Sequence, residues 1–167
     1  MTDEHANRAA AAPGMGGGVK QRDKIKMTQE EIDAFLNGWH TMSCATINHD
    51  GSIHLVAMWY GFLEGAPALE TKAKSQKVQN LRRNPQITCM IEEGDSYDQL
   101  VGVEMVGTAE IVEDPDRIFE MGISIVERTS GQTYTEEMRP AVEMMINKRV
   151  AVKINVDKYV SWDHRKL

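Results

Sequence analysis

A basic segment, residues 72–83, is the part of this sequence whose residue types and spacing point most directly to chemistry. It carries five basic residues and no acidic one, although the whole chain has a formal net charge of −6. A strand-like run, 68–71, precedes it, and Pro85 follows it, where a helix must end. Val78 and Leu81 lie three residues apart, as one face of a short helix requires. The pattern predicts a strand, a tight lysine-rich turn and a short helix.

The start of that short helix is predicted to bind an anion. A helix N-terminus presents free backbone N–H groups and the positive end of the helix dipole. Ser75 is placed to cap the helix or to offer its hydroxyl to a ligand. Lys72, Lys74 and Lys77 add positive charge at the same end. Phosphate is the anion that such an arrangement usually binds. The alternative is that these lysines form only a solvated basic face.

Other classes of site find less support in the sequence. The basic segment has no glycine-rich P-loop, so it is not a nucleoside triphosphate cradle. The negative net charge, and the lack of aromatic residues among the lysines, argue against a nucleic-acid partner. The five histidines show no metal-ligand spacing such as HExxH, so no metal site is predicted. No Ser-His-Asp or Cys-His arrangement identifies a catalytic residue, and the catalytic residues stay unknown.

Length and composition indicate one folded domain. The chain has 167 residues, of which 41% are hydrophobic and 26% charged, as in ordinary globular proteins. No apolar run approaches the ~20 residues of a membrane span, and no N-terminal secretion signal is evident. Cys44 and Cys89 lie in apolar strand-like runs, so we expect buried free thiols in a cytoplasmic protein. We expect residues 1–26 to form a disordered tail and residues 27–167 to form the folded domain.

A strand is predicted over residues 52–62, after the hairpin signal Asp50-Gly51. Its alternating residues form two sets: Ile53, Leu55, Ala57 and Trp59 on one face, and His54, Val56, Met58 and Tyr60 on the other. Because neither face is polar, the strand is either central in a sheet or lines a pocket for an apolar ligand. His54 is the polar exception, and a hydrogen-bonded structural role is the alternative to a functional one.

The remaining patterns complete an α+β architecture. Helices are predicted from a capping box at Thr28, from Asp114-Pro115 to Arg128, and over 135–147, where Pro140 either sits in the first turn or weakens the helix. Further strands are predicted at 39–48, 87–92, 100–112 and 150–156, and Gly107 indicates a bulge or a close backbone approach. The six or seven strands, joined by short turns, and three or four helices predict a small antiparallel barrel, closed or partly closed, with helices packed outside.

These elements resemble those of the split β-barrel proteins similar to pyridoxamine 5′-phosphate oxidase. Within that superfamily the sequence is most similar to the actinobacterial flavin/deazaflavin oxidoreductases. The resemblance rests on the capping-box helix, the Asp50-Gly51 hairpin, the run 75–85 (SQKVQNLRRNP) and the ending 161–167 (SWDHRKL). It covers roughly residues 28–167.

The resemblance implies a homodimer with cofactor sites at the subunit interface. It implies that a tricyclic ring lies against the second strand, between His54 and Trp59, and that Trp162 covers the ring from the other subunit. It implies that the residues beside and within the basic turn hold the phosphate. The full set of implied cofactor-binding positions is His54, Ala57, Met58, Trp59, Thr71, Lys72, Ser75, Lys77 and Trp162.

One position departs from the family pattern and bears on which cofactor binds. Flavin mononucleotide (FMN) oxidases of this superfamily commonly have Arg before the last lysine of the phosphate grip, and here that position is Gln76. The loss of a bidentate phosphate partner favours the deazaflavin coenzyme F420 over FMN. A basic surface that includes Lys74, Arg82 or Arg83 could then follow the coenzyme's anionic tail. The alternative is that Arg82 and Arg83 simply face water or pair with helix carboxylates. The expected activity is hydride transfer from reduced F420 to a small conjugated organic acceptor. The alternatives are an FMN-dependent oxidase or reductase, and a non-catalytic protein that binds a cofactor or a tetrapyrrole.

Overall fold

The computed structural model describes residues 20–167 as one antiparallel sheet with helices packed against it. The helices are α1 (Gln21–Ile25), α2 (Gln29–Asn37), α3 (Gln76–Arg83), α4 (Pro115–Ser130) and α5 (Arg139–Ile146). The strands are β1 (Met42–Ile47), β2 (Ile53–Met58), β3 (Gly61–Leu63), β4 (Ala66–Lys72), β5 (Gln86–Glu93), β6 (Val101–Val112) and β7 (Arg149–Asp163). Their order across the sheet is β2-β1-β5-β6-β7-β4-β3. Seven antiparallel strands in a half-barrel with flanking helices confirm the predicted α+β split barrel.

Helix α1 lies within the range that the sequence assigns to a disordered tail, and it is additional to the three or four predicted helices. The rest of that predicted tail, residues 1–19, lies outside the described residues. None of the helices within residues 20–167 is long and apolar enough to span a membrane.

Local sequence signals determine where three helices begin. At the start of α2, Thr28 Oγ1 accepts a hydrogen bond from the Glu31 N–H at 3.2 Å, and the Thr28 N–H donates to Glu31 Oε2 at 2.7 Å. This is the predicted capping box. Asp114 caps α4 through the backbone N–H groups of its first turn, and Pro140 lies in the first turn of α5. A missing N–H costs nothing there, so proline is tolerated.

The single strand predicted over 52–62 is wrong: the chain forms two strands, β2 and β3, with Trp59 and Tyr60 between them. Tyr60 is fully buried, and its hydroxyl donates to the carbonyl of Leu36 at the end of α2 at 2.7 Å. This anchor breaks the alternation of the strand. Strand β2 is also at the edge of the sheet rather than central. Of the two predicted interpretations, a central strand is therefore wrong, and the lining of a pocket is the one that fits, since Ala57 and Met58 border a cleft.

The last strand is much longer than predicted. β7 runs through residues 149–163 and pairs with β6 along the length of both strands. The pairing shifts register between Val106 and Gly107, which confirms the predicted bulge. A Cβ at Gly107 would lie 2.0 Å from the carbonyl oxygen of Asn155, so the close approach of the two backbones requires glycine. The length of β7 brings Trp162 into the sheet, opposite Gly102.

Two apolar clusters lie on opposite sides of β4 and β7. The larger fills the barrel and contains Leu69, Val150 and Val152. The smaller lies under α4 and contains Ala68 and Ala151. Alternate residues of each strand therefore face different clusters. Cys44 and Cys89 face each other across β1 and β5, and both are free and fully buried, as predicted.

Candidate functional site

The turn between β4 and α3 brings three of the predicted phosphate-binding side chains together. Lys77 Nζ donates a hydrogen bond to Thr71 Oγ1 at 3.1 Å, and Thr71 Oγ1 donates to Ser75 Oγ at 3.3 Å. Ser75 occupies the N-cap position of α3, but its side chain makes no capping hydrogen bond to the helix. We call these three residues the lysine–hydroxyl cluster. Its ammonium and hydroxyl groups are the kind of donors that bind a phosphate.

Lys77 is the unusual member of this cluster because its charge is buried. The side chain is only 8% exposed. Burial lowers the pKa of Lys77, the nearby thiol of Cys44 acts to raise it, and the positive charge of Arg149 lowers it. An ammonium group has three hydrogen atoms to donate. Within residues 20–167, Thr71 Oγ1 is its one hydrogen-bond acceptor. A bound anion would supply the acceptors and charge that the buried ammonium lacks.

Lys72 lies apart from the cluster. It is the last residue of β4 and pairs in register with Arg149 of β7, on the opposite strand face from Thr71. Its side chain is exposed, and Nζ donates to the carbonyl of Asn147 at 3.0 Å. Lys72 therefore lies at the same end of β4 as the other three predicted phosphate ligands, but its side chain is on the opposite face of the strand.

Three of the predicted ring-binding positions line one cleft. Ala57, Met58 and Trp59 form part of a cleft of about 270 Å³. The other lining residues come from the strands β4 and β7 and the helices α4 and α5: Glu70, Ile125, Met145 and Arg149. Trp59 is 57% exposed, and its ring makes an edge contact with Trp39, with 5.9 Å between centroids. The cleft has the apolar walls that suit a flat organic group.

Glu70 is a residue of this cleft that the sequence analysis missed. It is only 4% exposed, and its Oε2 has no hydrogen-bond partner among the described residues. Its Oε1 lies 3.9 Å from Arg149 Nε, which is too far for a hydrogen bond. Burial raises the pKa of Glu70, while the charges of Arg149 and Lys72 oppose that shift. A carboxylate directly after the apolar run 66–69 of β4 was the signal in the sequence that could have identified it.

The remaining two predicted positions do not line this cleft. His54 borders a separate shallow depression with Asp50 and Gln76, so it lies beside the first turn of α3. Trp162 covers Gly102 on β6: a Cβ at Gly102 would lie 2.2 Å from the Trp162 ring. The described chain thus assembles Ala57, Met58 and Trp59 in one place and the lysine–hydroxyl cluster in another, around the end of β4.

The other basic residues of the segment are engaged elsewhere. Arg82 forms an ion pair with Glu113 at 2.6 Å, and Arg83 donates to the carbonyl of Ile47 at 2.5 Å. These contacts favour the interpretation that both arginines serve the fold and the surface. Gln76 donates to Asn80 Oδ1 at 2.9 Å, so its amide is also occupied within α3.

The described residues contain no group of three His, Cys, Asp or Glu side chains that could hold a metal ion. What the site offers is a buried cation with two hydroxyls, an apolar cleft, and a buried carboxylate with a guanidinium beside it. Groups of these kinds are suited to binding and orienting a ligand.

Comparison with known proteins places this geometry in a family. A family model described as pyridoxamine 5′-phosphate oxidase matches residues 28–163. The chain is 50% identical to the conserved hypothetical protein Rv2991 from Mycobacterium tuberculosis; the match covers 89% of this chain and 92% of that one, with a TM-score of 0.84. An F420 reductase is 23% identical over 77% of this chain and 94% of its own, with a TM-score of 0.59.

A heme-binding protein from Mycobacterium smegmatis shares the fold at 14% identity, with a TM-score of 0.57 over 80% of this chain and 57% of that one. A search of the curated proteins found no match. The family match spans the barrel, the lysine–hydroxyl cluster and the cleft together. The chain therefore belongs to the pyridoxamine 5′-phosphate oxidase family, within the superfamily of split β-barrel proteins.

Proposed function

We propose that this protein is an oxidoreductase that binds coenzyme F420 and uses its reduced form to reduce a small conjugated organic acceptor. The observation that carries the proposal is the buried Lys77, whose ammonium donates to Thr71 at the end of β4, the strand that also contributes Glu70 to the apolar cleft. The family match and the shared fold of an F420 reductase support it. When bound, the reduced coenzyme supplies the hydride, and the protein supplies binding, orientation and exclusion of water.

The lysine–hydroxyl cluster is suited to the phosphate of the coenzyme. Lys77 contributes a full positive charge in a partly desolvated position, where an ion pair is stronger than at the surface. Thr71 and Ser75 contribute hydroxyls within hydrogen-bond distance of each other. Lys72 and Lys74, which are exposed at the same turn, add positive potential for an anionic ligand approaching from solvent.

The cleft is suited to the ring. Its wall is formed by Ala57, Met58 and Trp59 at the end of the edge strand β2, where backbone groups are left unpaired by the sheet. A planar apolar ring in this position would be shielded from water by Trp59, Ile125 and Met145. Exclusion of water prevents side reactions of a bound hydride donor.

The choice of F420 over FMN rests on Gln76. This neutral amide stands at the first position of α3, and its Nε2 donates to Asn80 rather than remaining free. A guanidinium at this position would give a bidentate phosphate contact, and the grip lacks it. We infer that Lys77 and two hydroxyls suffice for a phosphodiester, which carries less charge than the phosphomonoester of FMN.

We also propose that the protein is a homodimer and that the exposed face of β2 forms part of its interface. Ile53, Leu55 and Trp59 are 62%, 64% and 57% exposed on this face. A row of large apolar side chains on an edge strand is unusual for a monomer and is typical of a surface that another chain covers. In such a dimer, Trp162 of one subunit covers the cleft of the other.

A binding titration tests the proposal. The purified protein is titrated with F420 and, separately, with FMN, and the change in ligand fluorescence gives each dissociation constant. We expect tighter binding of F420, followed by hydride transfer from reduced F420 to quinone or nitroimidazole acceptors. Clear preference for FMN would contradict the choice of cofactor. Tight binding of F420 without transfer to any acceptor would instead identify a carrier protein.

A further inference from the structure

Glu70 has no role in the function proposed above, although it lines the same cleft. It is the buried carboxylate of β4, 4% exposed, with Oε2 unpartnered among the described residues. Its two nearest opposite charges, Arg149 and Lys72, act on it electrostatically without closing a hydrogen bond to Oε2. Buried polar atoms nearly always have a hydrogen-bond partner, so this oxygen is an exception with a physical cause.

The unpartnered carboxylate oxygen of Glu70 is better explained by a bound ligand than by a role in the fold. The side chain lies under α4 and α5, where an apolar residue would pack against Ile125 and Met145 without any desolvation cost. The cost of burying the carboxylate is offset only if something donates a hydrogen bond to it. The cleft that Glu70 lines is where such a donor can enter.

Arg149 completes the chemical pattern of this end of the cleft. Its Nε is also buried and lacks a hydrogen-bond partner among the described residues, and it lies 3.9 Å from Glu70 Oε1. Two neighbouring side chains therefore present an unpartnered acceptor, Glu70 Oε2, and an unpartnered donor, Arg149 Nε. Their complement is a ligand edge on which an N–H lies next to a carbonyl. The pyrimidinedione ring of flavins and deazaflavins has such an imide edge, with one N–H between two carbonyls.

We propose that Glu70 and Arg149 bind the imide edge of the ring, with Glu70 accepting a hydrogen bond from the imide N–H and Arg149 donating one to the adjacent carbonyl. The identity of the ring rests on the proposed function. The pair then fixes how deeply the ring enters between Trp59 and Ile125, and it rejects flat aromatic molecules that lack the imide.

Methylation of the imide nitrogen tests this directly, because it removes the one N–H of that edge. Binding of FMN and 3-methyl-FMN, and of the phosphate-free probes lumiflavin and 3-methyllumiflavin, is measured by fluorescence titration. For the wild-type protein, methylation should weaken binding about ten- to hundredfold within each pair, the scale of one charge-assisted hydrogen bond. In Glu70→Leu, the unmethylated ligand should bind as weakly as the methylated one, so that the preference disappears.

Three further variants separate this inference from its alternatives. Glu92→Gln, which removes an exposed carboxylate outside the cleft, should leave the preference unchanged. Arg149→Met should weaken binding of lumiflavin while the preference for the free N–H remains. Glu70→Gln, which keeps an acceptor oxygen, should keep part of the preference and guards against misfolding of the leucine variant.

The outcomes distinguish this inference from the proposed function. If the wild type binds lumiflavin better than 3-methyllumiflavin but binds neither F420 nor FMN more tightly than lumiflavin, the proposed imide site is supported. The proposed phosphate site at the lysine–hydroxyl cluster is then contradicted. Equal binding of the two lumiflavins, or no binding of either, overturns the assignment of Glu70. A Glu70→Leu variant that weakens methylated and unmethylated ligands equally would also overturn it, because that is the result of a structural role.

Discussion

Replacing Lys77 should weaken ligand binding and at the same time stabilise the ligand-free protein, because its buried charge attracts an anionic ligand but is costly to bury in the fold. In Lys77→Met the aliphatic length is kept and the ammonium is lost. Lys77 is 8% exposed, and its ammonium has Thr71 Oγ1 as its acceptor. A charge-assisted hydrogen bond to a phosphate contributes about 1.5–3 kcal/mol, so the dissociation constant for F420 should rise about ten- to hundredfold or slightly more.

The same substitution should stabilise the protein without ligand. Burial lowers the pKa of Lys77 in the folded state. Below that pKa the side chain is charged in both states, and the charge destabilises the folded chain because it is buried there, whereas in the unfolded chain it is hydrated. In the wild type, stability should therefore rise as the pH increases from the lowered pKa toward 10.5, the ordinary value of lysine. At neutral pH the methionine variant should melt at a higher temperature than the wild type.

Lys74→Met is the matched control, since it removes the same charge from an exposed lysine of the same turn. We expect its melting temperature to be unchanged and its affinity to fall by less than about threefold, as for a screened surface charge. Isothermal titration calorimetry and thermal melting measure both quantities for each variant. The reasoning would be refuted if Lys77→Met bound F420 as tightly as the wild type, or if the two lysine variants lost equal affinity.

Three further predictions concern groups whose burial the structure shows. Glu70→Gln should stabilise the ligand-free protein at pH 7 by about 1 kcal/mol, which raises its melting temperature by about 2–4 °C. Because the pKa of Glu70 is raised in the folded state, the stability of the wild type should fall as the pH rises above 4.5. Melting curves recorded across this pH range check both statements. Tyr60→Phe should lower the free energy of unfolding by about 1 kcal/mol in urea, because its hydroxyl donates to the Leu36 carbonyl. Cys44 and Cys89 should resist a thiol reagent in the native protein and react on unfolding, and fast native reaction would contradict their burial.

The sequence predicted most of the fold because its strongest signals are local. The capping box at Thr28, the Asp114 cap and the proline of α5 each determine a helix start within a few residues. The bulge at Gly107 was also predictable, since a glycine inside a strand often marks a bulge or a close approach of two backbones. In each case the physical cause acts between residues that are close in the chain or is carried by one residue type.

The errors arose where distant contacts decide the structure. Tyr60 interrupts the predicted strand because its hydroxyl reaches the end of α2, 24 residues away. The length of β7 depends on its pairing with β6, and the sequence of residues 157–163 has no alternating pattern that predicts a strand there. The edge position of β2 likewise depends on the order of strands in the sheet.

The candidate site divides in the same way. The lysine–hydroxyl cluster is formed by residues 71–77, so the local charge pattern was enough to identify it. The cleft draws on β2, β4, α4, α5 and β7, and only the assembled fold shows that Glu70 and Arg149 meet Trp59 there. A single acidic residue in a strand gave too weak a signal without its burial.

A crystal structure of the protein with F420 tests the central claim most directly. We expect the coenzyme phosphate within hydrogen-bond distance of Lys77 Nζ and of the Thr71 and Ser75 hydroxyls, with the ring in the cleft beside Ala57 and Trp59. A phosphate bound away from the start of α3, with the ring on another surface of the barrel, would contradict it.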